Sequence, residues 1–163
     1  MNKAFLLTGG NLGDRAENLN RSCEFIEKHC GSIIKKSSLY ETAAWGKTAQ
    51  PDYLNQALEL ETALSPEELL KKLLDIEKMM GRFRAEKYGP RNIDIDILMY
   101  NDLVINEPRL KIPHPQMQNR RFVLVPLQEI APTIVHPVFL KNIQELLMEC
   151  RDPLAVHKKL IRV

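Results

Sequence analysis

The sequence lacks any apolar run long enough to cross a bilayer. Its opening residues, MNKAFLLTGGNLGD, carry one lysine and too short an apolar stretch for a secretory signal, so a cytoplasmic protein is expected. There is no cysteine pair of the CxxC kind. The three cysteines, Cys23, Cys30 and Cys150, are an odd count, which argues against a disulfide framework or a zinc knuckle. Cys23 and Cys30 lie seven apart on one helical face and read as buried thiols. A strong net charge is also missing: +2 over 163 residues predicts no polyanion partner. No repeat, low-complexity tract or linker divides the chain, so one domain over 1–163 is expected. Neither G-x-G-x-x-G nor GK[ST] occurs. The glycines of TGGNLGD (8–14) are therefore read as a tight strand-to-helix turn, not as a phosphate cradle.

What is present is an ordinary globular composition, 44% apolar and 27% charged, with charge distributed unevenly. The segment 81–92, GRFRAEKYGPRN, holds Arg82, Arg84, Lys87 and Arg91 against Glu86 alone. A second basic stretch holds Arg109, Lys111, His114, Arg120 and Arg121, while acids gather at 59–68 and 75–77. Local basic clusters on a near-neutral chain suit a compact anion such as a nucleotide better than long nucleic acid.

The pattern predicts a strand at 4–9 and a helix capped by Asp14 and running to about His29. A strand follows at 32–40, then a long loop over 40–52 and a strand at 53–64. Ser65-Pro66-Glu67-Glu68 is a capping box with proline at the first helical position. Its helix runs to about Met80, with Leu69, Leu73, Ile76 and Met80 as the apolar stripe. A strand covers 93–100. Short helices near 116–130 and 142–150 belong to a proline-punctuated C-terminal third. The core order β-α-β-β-α-β implies an α+β, ferredoxin-like antiparallel sheet with its helices on one face and a C-terminal extension dressing the edges.

In IDIDI (93–97) the isoleucines share one side of the strand and Asp94 and Asp96 the other. The isoleucines suit the helix-covered side, which sends both aspartates to the open face. Tyr53, Asn55, Glu59 and Glu61 take the same face if their strand joins the sheet. Carboxylates at i and i+2 lie about 6–7 Å apart and repel by roughly 2–3 kcal/mol at an effective dielectric of about 20. A divalent cation reverses that sign, and Mg²⁺ favours carboxylate oxygens. A bare DxD is also compatible with solvated acids, and a basic loop with a solvated face. Together, arginines and a metal site favour phosphoryl chemistry. His114, rigidly set between two prolines in IPHPQ, is the likeliest functional histidine. Glu77, where the apolar stripe of its helix meets the polar side, is either a solvated or ion-paired acid or a hydrogen-bond acceptor for a ligand. Trp45, Tyr53 and Phe122 either cover an aromatic ligand or pack locally.

Lys87 to Leu98, KYGPRNIDIDIL, resembles the signature of the 6-hydroxymethyl-7,8-dihydropterin pyrophosphokinase family of folate biosynthesis. The likeness extends to GGNLGD, QPDYLNQA (50–57), SPEELL, GRFR and RLKIPHPQMQNRRF (109–122). The resemblance implies transfer of the ATP pyrophosphoryl unit to a pterin hydroxymethyl group, with two Mg²⁺ ions and ATP as co-substrate. It implies Asp94 and Asp96 as metal ligands. Thr42, Tyr53, Asn55 and Phe122, with the backbone around Ala43 and Trp45, would form the pterin pocket. Glu77, Arg84, Tyr88, Arg91, Ile97, Arg109, Lys111, His114 and Arg120 would hold ATP. Arg82, Arg91 and Asp96 would act in catalysis, the two arginines from a loop that closes over the phosphates. The expected partners are small-molecule substrates, without nucleic acid or membrane, and the expected state is a monomer. The chain departs from the family pattern at Ala43-Ala44-Trp45, Tyr88, Lys111 and Pro115. Rival readings are an RNA-binding module, which should carry an aromatic-rich strand that the central strands lack, and a DxD nuclease.

Overall fold

The computed structural model describes residues 1–43, 50–82 and 91–160. Strand β1 (Asn2–Gly10) leads into α1 (Arg15–His29), whose N-terminus is capped by the Asp14 carboxylate accepting from the Glu17 amide. Next come β2 (Ser32–Lys36), β3 (Tyr40–Thr42) and β4 (Tyr53–Thr62). Helix α2 (Pro66–Met79) opens with the expected reciprocal capping box between Ser65 and Glu68. It buries Leu69, Leu73 and Ile76, each contributing about 1.5–3 kcal/mol by removal from water. Strand β5 (Asp94–Tyr100) is followed by the short β6 (Ile105–Asn106) and β7 (Lys111–Ile112). The chain ends in a 3-10 turn (Met117–Asn119), α3 (Arg121–Ile130), α4 (Ile143–Glu149) and β8 (Val156–Lys158).

The main sheet runs β5-β1-β4-β3-β8, with β2 also pairing β4. Every pairing is antiparallel. Crossover helices α1 and α2 and this strand order give the expected ferredoxin-like arrangement. The helix-side core joins Leu6, Leu19, Ile26, Leu58, Leu73, Ile95 and Ile97, with Cys23 and Cys30 as buried free thiols.

The sequence-based picture needs correction in three places. Gly9 and Gly10 belong to β1 itself, and only Gly13, at φ 71°, makes the turn. A Cβ at Gly9 would lie 2.1 Å from Asn55 Nδ2, and one at Gly10 2.2 Å from the Asn92 carbonyl oxygen. These glycines serve close approach, not turning. The strand expected over 32–40 is two segments, β2 and β3, both on the edge of β4. Between them Ser37 bonds to Ala57 through its amide and through its hydroxyl oxygen, a side-chain bond that interrupts the ladder.

The third correction concerns the far face of the sheet, which is not open throughout. Phe5, Leu7, Ala57, Leu98 and Met99 form a second core there with Val123, Leu124, Leu127 and Ile130 of α3 and Ile143 and Leu146 of α4. The C-terminal third covers a face, and β8 adds to an edge. A bulge at Leu98 shifts the alternation by one residue, since Phe5 pairs with Met99 and Leu6 with Ile97. Leu98, on the aspartates' side by alternation, and Met99, brought to that side by the bulge, both join the second core, and Asp94 and Asp96, ahead of the bulge, are left at its uncovered end.

Candidate active site

At that end a cleft is lined by Leu7, Gly9, Thr42, Ala43, Tyr53, Asn55, Arg91, Asp94, Asp96, Arg120 and Phe122. Strand register builds it. Gly9 of β1 pairs with Asn55 on one side and Asp94 on the other, and Leu7 with Ala57 and Asp96. Asn55, Gly9 and Asp94 therefore form one row across three strands. With strands about 4.8 Å apart, the outer two residues of that row are about 10 Å apart at the backbone.

One end of the row is apolar and amide-bearing. Asn55 is 5% exposed, and its Nδ2 donates to the Thr8 carbonyl at 3.4 Å. Its Oδ1 is buried without a hydrogen-bond partner among the described residues. Such an atom loses its bonds to water on folding and is costly unless a ligand satisfies it. Tyr53 and Phe122 line the same cleft as half-buried rings. The Arg120 guanidinium lies 5.6 Å from the Phe122 ring centre. The Thr42 hydroxyl donates to the Ala155 carbonyl at 3.0 Å, tying the cleft wall to the chain before β8.

The other end is charged. Arg82 Nη1 bridges Asp94 Oδ1 at 2.6 Å and Glu77 Oε1 at 2.8 Å. Arg91 Nη1 lies 3.6 Å from Asp94 Oδ2. Glu77, read from sequence at the edge of its helix stripe, is 3% exposed, and its Oε2 accepts from the Ile95 amide at 2.7 Å. It thus ties α2 to β5 and holds Arg82. The Asp96 carboxyl is pushed well above the ordinary range, first by desolvation and then by Asp94 and Glu77; Arg120 and Arg82 oppose this. The Tyr53 phenol is also raised, mainly by burial, with Arg91 acting against the shift through charge and a hydrogen bond.

His114 bonds through its amide to the Leu98 carbonyl at 2.9 Å, and its Nδ1 accepts from the Gln116 amide at 3.1 Å. Burial, reinforced by Arg120, lowers its pKa to about 4. Ile97 is 6% exposed within the helix-side core, which leaves only its peptide groups for a ligand. Arg109 and Lys111 are exposed, and Lys111 Nζ donates to Asn106 Oδ1 at 2.9 Å. Neither they nor His114 line the cleft. Trp45, Arg84 and Tyr88 lie outside the described residues. The sequence reading missed Leu7 and Gly9. Gly9 carried a signal, a glycine late in a strand, which often marks close approach of a neighbouring group.

Residues 5–132 match the family model described as 7,8-dihydro-6-hydroxymethylpterin-pyrophosphokinase. The chain belongs to this family. A 2-amino-4-hydroxy-6-hydroxymethyldihydropteridine pyrophosphokinase of Aquifex aeolicus is 43% identical over 145 residues, covering 89% of this chain and 90% of that protein. One of Synechocystis is 46% identical over 140 residues, covering 85% and 71%. Among solved structures, a Plasmodium falciparum HPPK-DHPS chain superposes with a TM-score of 0.75 at 21% identity, a likeness of fold. It is matched over 91% of this chain, which spans 44% of that longer one. As a member of this family, the chain transfers the pyrophosphoryl unit of ATP to 6-hydroxymethyl-7,8-dihydropterin in folate biosynthesis. No described helix is long and apolar enough to cross a membrane.

Proposed function

We propose that the cleft is where this reaction occurs, with the pterin at the Asn55 end and the ATP phosphates at the Asp94 end. The observation that carries the reading is the buried, unsatisfied Asn55 Oδ1 in a row with Asp94. A pterin edge offers N–H donors to that oxygen, and Tyr53 and Phe122 offer ring faces for stacking. Thr42, Ala43 and Trp45 would complete the pterin wall. Glu77, Arg84, Tyr88, Arg91, Ile97, Arg109, Lys111, His114 and Arg120 remain the proposed ATP-side residues. Glu77 would act there by holding Arg82 and β5, and Ile97 through its peptide groups.

Among the described residues no set of three or more His, Cys, Asp or Glu side chains is arranged to hold a metal ion. Two carboxylates still fit Mg²⁺, which completes its shell with phosphate oxygens and water. The raised Asp96 carboxyl, crowded by Asp94 and Glu77, is what a cation would relieve. We therefore place two Mg²⁺ ions at Asp94 and Asp96, where they would neutralise the triphosphate and polarise the transferring group.

In this mechanism the pterin hydroxyl oxygen bonds to the β-phosphorus as the bond from that phosphorus to the α-phosphate oxygen breaks, releasing AMP. The hydroxyl proton leaves late, to water, since a loose transition state needs little help from a base. Asn55, Tyr53 and Phe122 hold the pterin so that its hydroxymethyl group points along the row. Arg91 and Arg120 balance charge on the phosphates, and Arg82 shifts from Asp94 towards them. The chain is proposed to act as one domain and as a monomer, in the cytoplasm.

The test is AMP release from Mg-ATP and the hydroxymethyl pterin, with and without chelator. Asp96→Asn should lower kcat by about 10²-fold or more, the loss of an electrostatic group acting on the transferring phosphoryl. Near-normal turnover in that variant, or turnover unaffected by chelation, would refute the metal assignment.

A further inference from the structure

The first amides of a helix have no partner within it, and the N-cap residue of α3, Arg120, makes no side-chain cap. The cap comes instead from the C-terminal segment. The Arg121 amide donates to Asp152 Oδ2 at 3.1 Å, across 31 positions of chain. Asp152 Oδ1 accepts from the Leu154 amide at 3.0 Å, which fixes the direction of the carboxylate. A negative charge at this end of a helix is also favourable. Asp152 is half-buried and does not line the cleft, but the residues flanking the amide it holds, Arg120 and Phe122, both do.

The same segment holds a second part of the cleft wall. The Ala155 carbonyl takes the Thr42 hydroxyl, Val156 pairs with Thr42, and the Lys159 amide donates to the Leu39 carbonyl at 2.8 Å. Residues 152–159 therefore form a strap, bonded at one end to the helix that carries Phe122 and along its length to the strand that carries Thr42. It lies beyond residues 5–132, which the family model matches. The other end of α3 is tied separately, by Glu129 accepting from the Tyr40 hydroxyl and the Ser38 amide, about 12 Å along the axis from Arg121.

We propose that Asp152 is a positioning residue for the pterin, which fixes the seat of the Phe122 ring relative to Thr42 by capping α3 from the strap. The inference rests on the assignment of the pterin end above. Asp152 acts through Phe122. Without the carboxylate the first turn of α3 frays, and Phe122, its second residue, loses its fixed seat. A ring held in place before the ligand arrives stacks without a further cost in ordering. Asp94 and Asp96 stand on β5, at the opposite edge of the sheet from β8. Arg120 is one of several cations proposed for the phosphates, so the nucleotide end should respond little.

Calorimetry on the full chain tests it. Pterin is titrated into protein saturated with Mg²⁺ and α,β-methylene ATP, and the analogue is titrated separately into protein with Mg²⁺ alone. Asp152→Ala should raise the pterin Kd about tenfold and leave the analogue Kd within about twofold. Asp152→Asn keeps one acceptor oxygen and should fall between wild type and Asp152→Ala. In a Phe122→Ala background, Asp152→Ala should cost less than about twofold further, because both changes act through one ring. Tyr40→Phe, at the far end of the same helix, is the structural control: it should lower Tm and leave the pterin Kd as in wild type. An unchanged pterin Kd in Asp152→Ala, an equal loss of both affinities, full additivity with Phe122→Ala, or the same pterin loss in Tyr40→Phe overturns the proposal. If Asp152→Ala does not fold, Asp152→Asn decides by the same criteria. A wild type that binds no pterin overturns the site assignment, and the inference with it.

Discussion

Asp96 shows the tension between folding and chemistry most directly. Its pKa is raised, so folding favours its protonated form relative to the unfolded chain. The stability linked to that proton is fully present below the unfolded carboxylate value and is lost as pH rises through the raised one. At neutral pH and without substrates, Asp96→Asn should therefore raise Tm, even as it lowers turnover. A 1 kcal/mol gain in a chain of this size reads as about 2–4 °C by thermal melt. A lower Tm would show that the Asp96 carboxyl supports the fold. His114 has the opposite sign. Its pKa of about 4 lies below the ordinary value because burial and Arg120 disfavour the cation, and its Nδ1 already accepts a bond that a protonated ring could not accept. Stability should fall as pH drops from about 6.5 towards 4, the window in which the unfolded chain takes up the proton and the folded one resists. His114→Gln should flatten that part of a Tm-against-pH curve. A curve identical to wild type would remove His114 as the cause.

At the scale of elements, what matters is register. β1 contributes no polar side chain to the cleft, yet it lies between β4 and β5 and sets which of their residues share a row. The absence of a side chain at Gly9 leaves room for the Asn55 carboxamide. Gly9→Ala puts a methyl 2.1 Å from Asn55 Nδ2 and forces that side chain to move. The pterin KM should rise by about tenfold, the loss expected for one good hydrogen bond, while the ATP KM changes little. Steady-state kinetics with each substrate varied checks this, and an unchanged pterin KM would count against Asn55 as its anchor. α2 and β5 are joined in the same manner, by Glu77 accepting from the Ile95 amide, and Arg82 hangs from that joint. The charged end is thus carried by two packed elements and not by a loop alone.

For the molecule as a whole, the second core decides how much of the sheet stays accessible. α3 packs on the face that bears Phe5, Leu7 and Ala57, and Arg120 and Phe122 lie at its start, so the helix that buries one part of the face also supplies the cleft's second wall. Leu127, fully buried in that core, should cost about 2–5 kcal/mol on truncation to alanine, read by urea unfolding. Pterin affinity should weaken with it if the seat of Phe122 loosens.

Local pattern determined much of this protein. The alternation of IDIDI, the Asp14 cap, the Ser65–Glu68 box and the buried thiols follow from short-range periodicity and capping chemistry, and the structure agrees with each. The order of the elements then left few topologies to choose from. Only the tertiary structure decided that Gly9 and Gly10 belong to a strand, that Glu77 turns inward to β5, that Leu98 bulges, and that Asp152 caps a helix that starts 31 positions earlier. Each of these depends on a neighbour distant in sequence, and a local pattern carries no information about which distant backbone will pass within bonding distance.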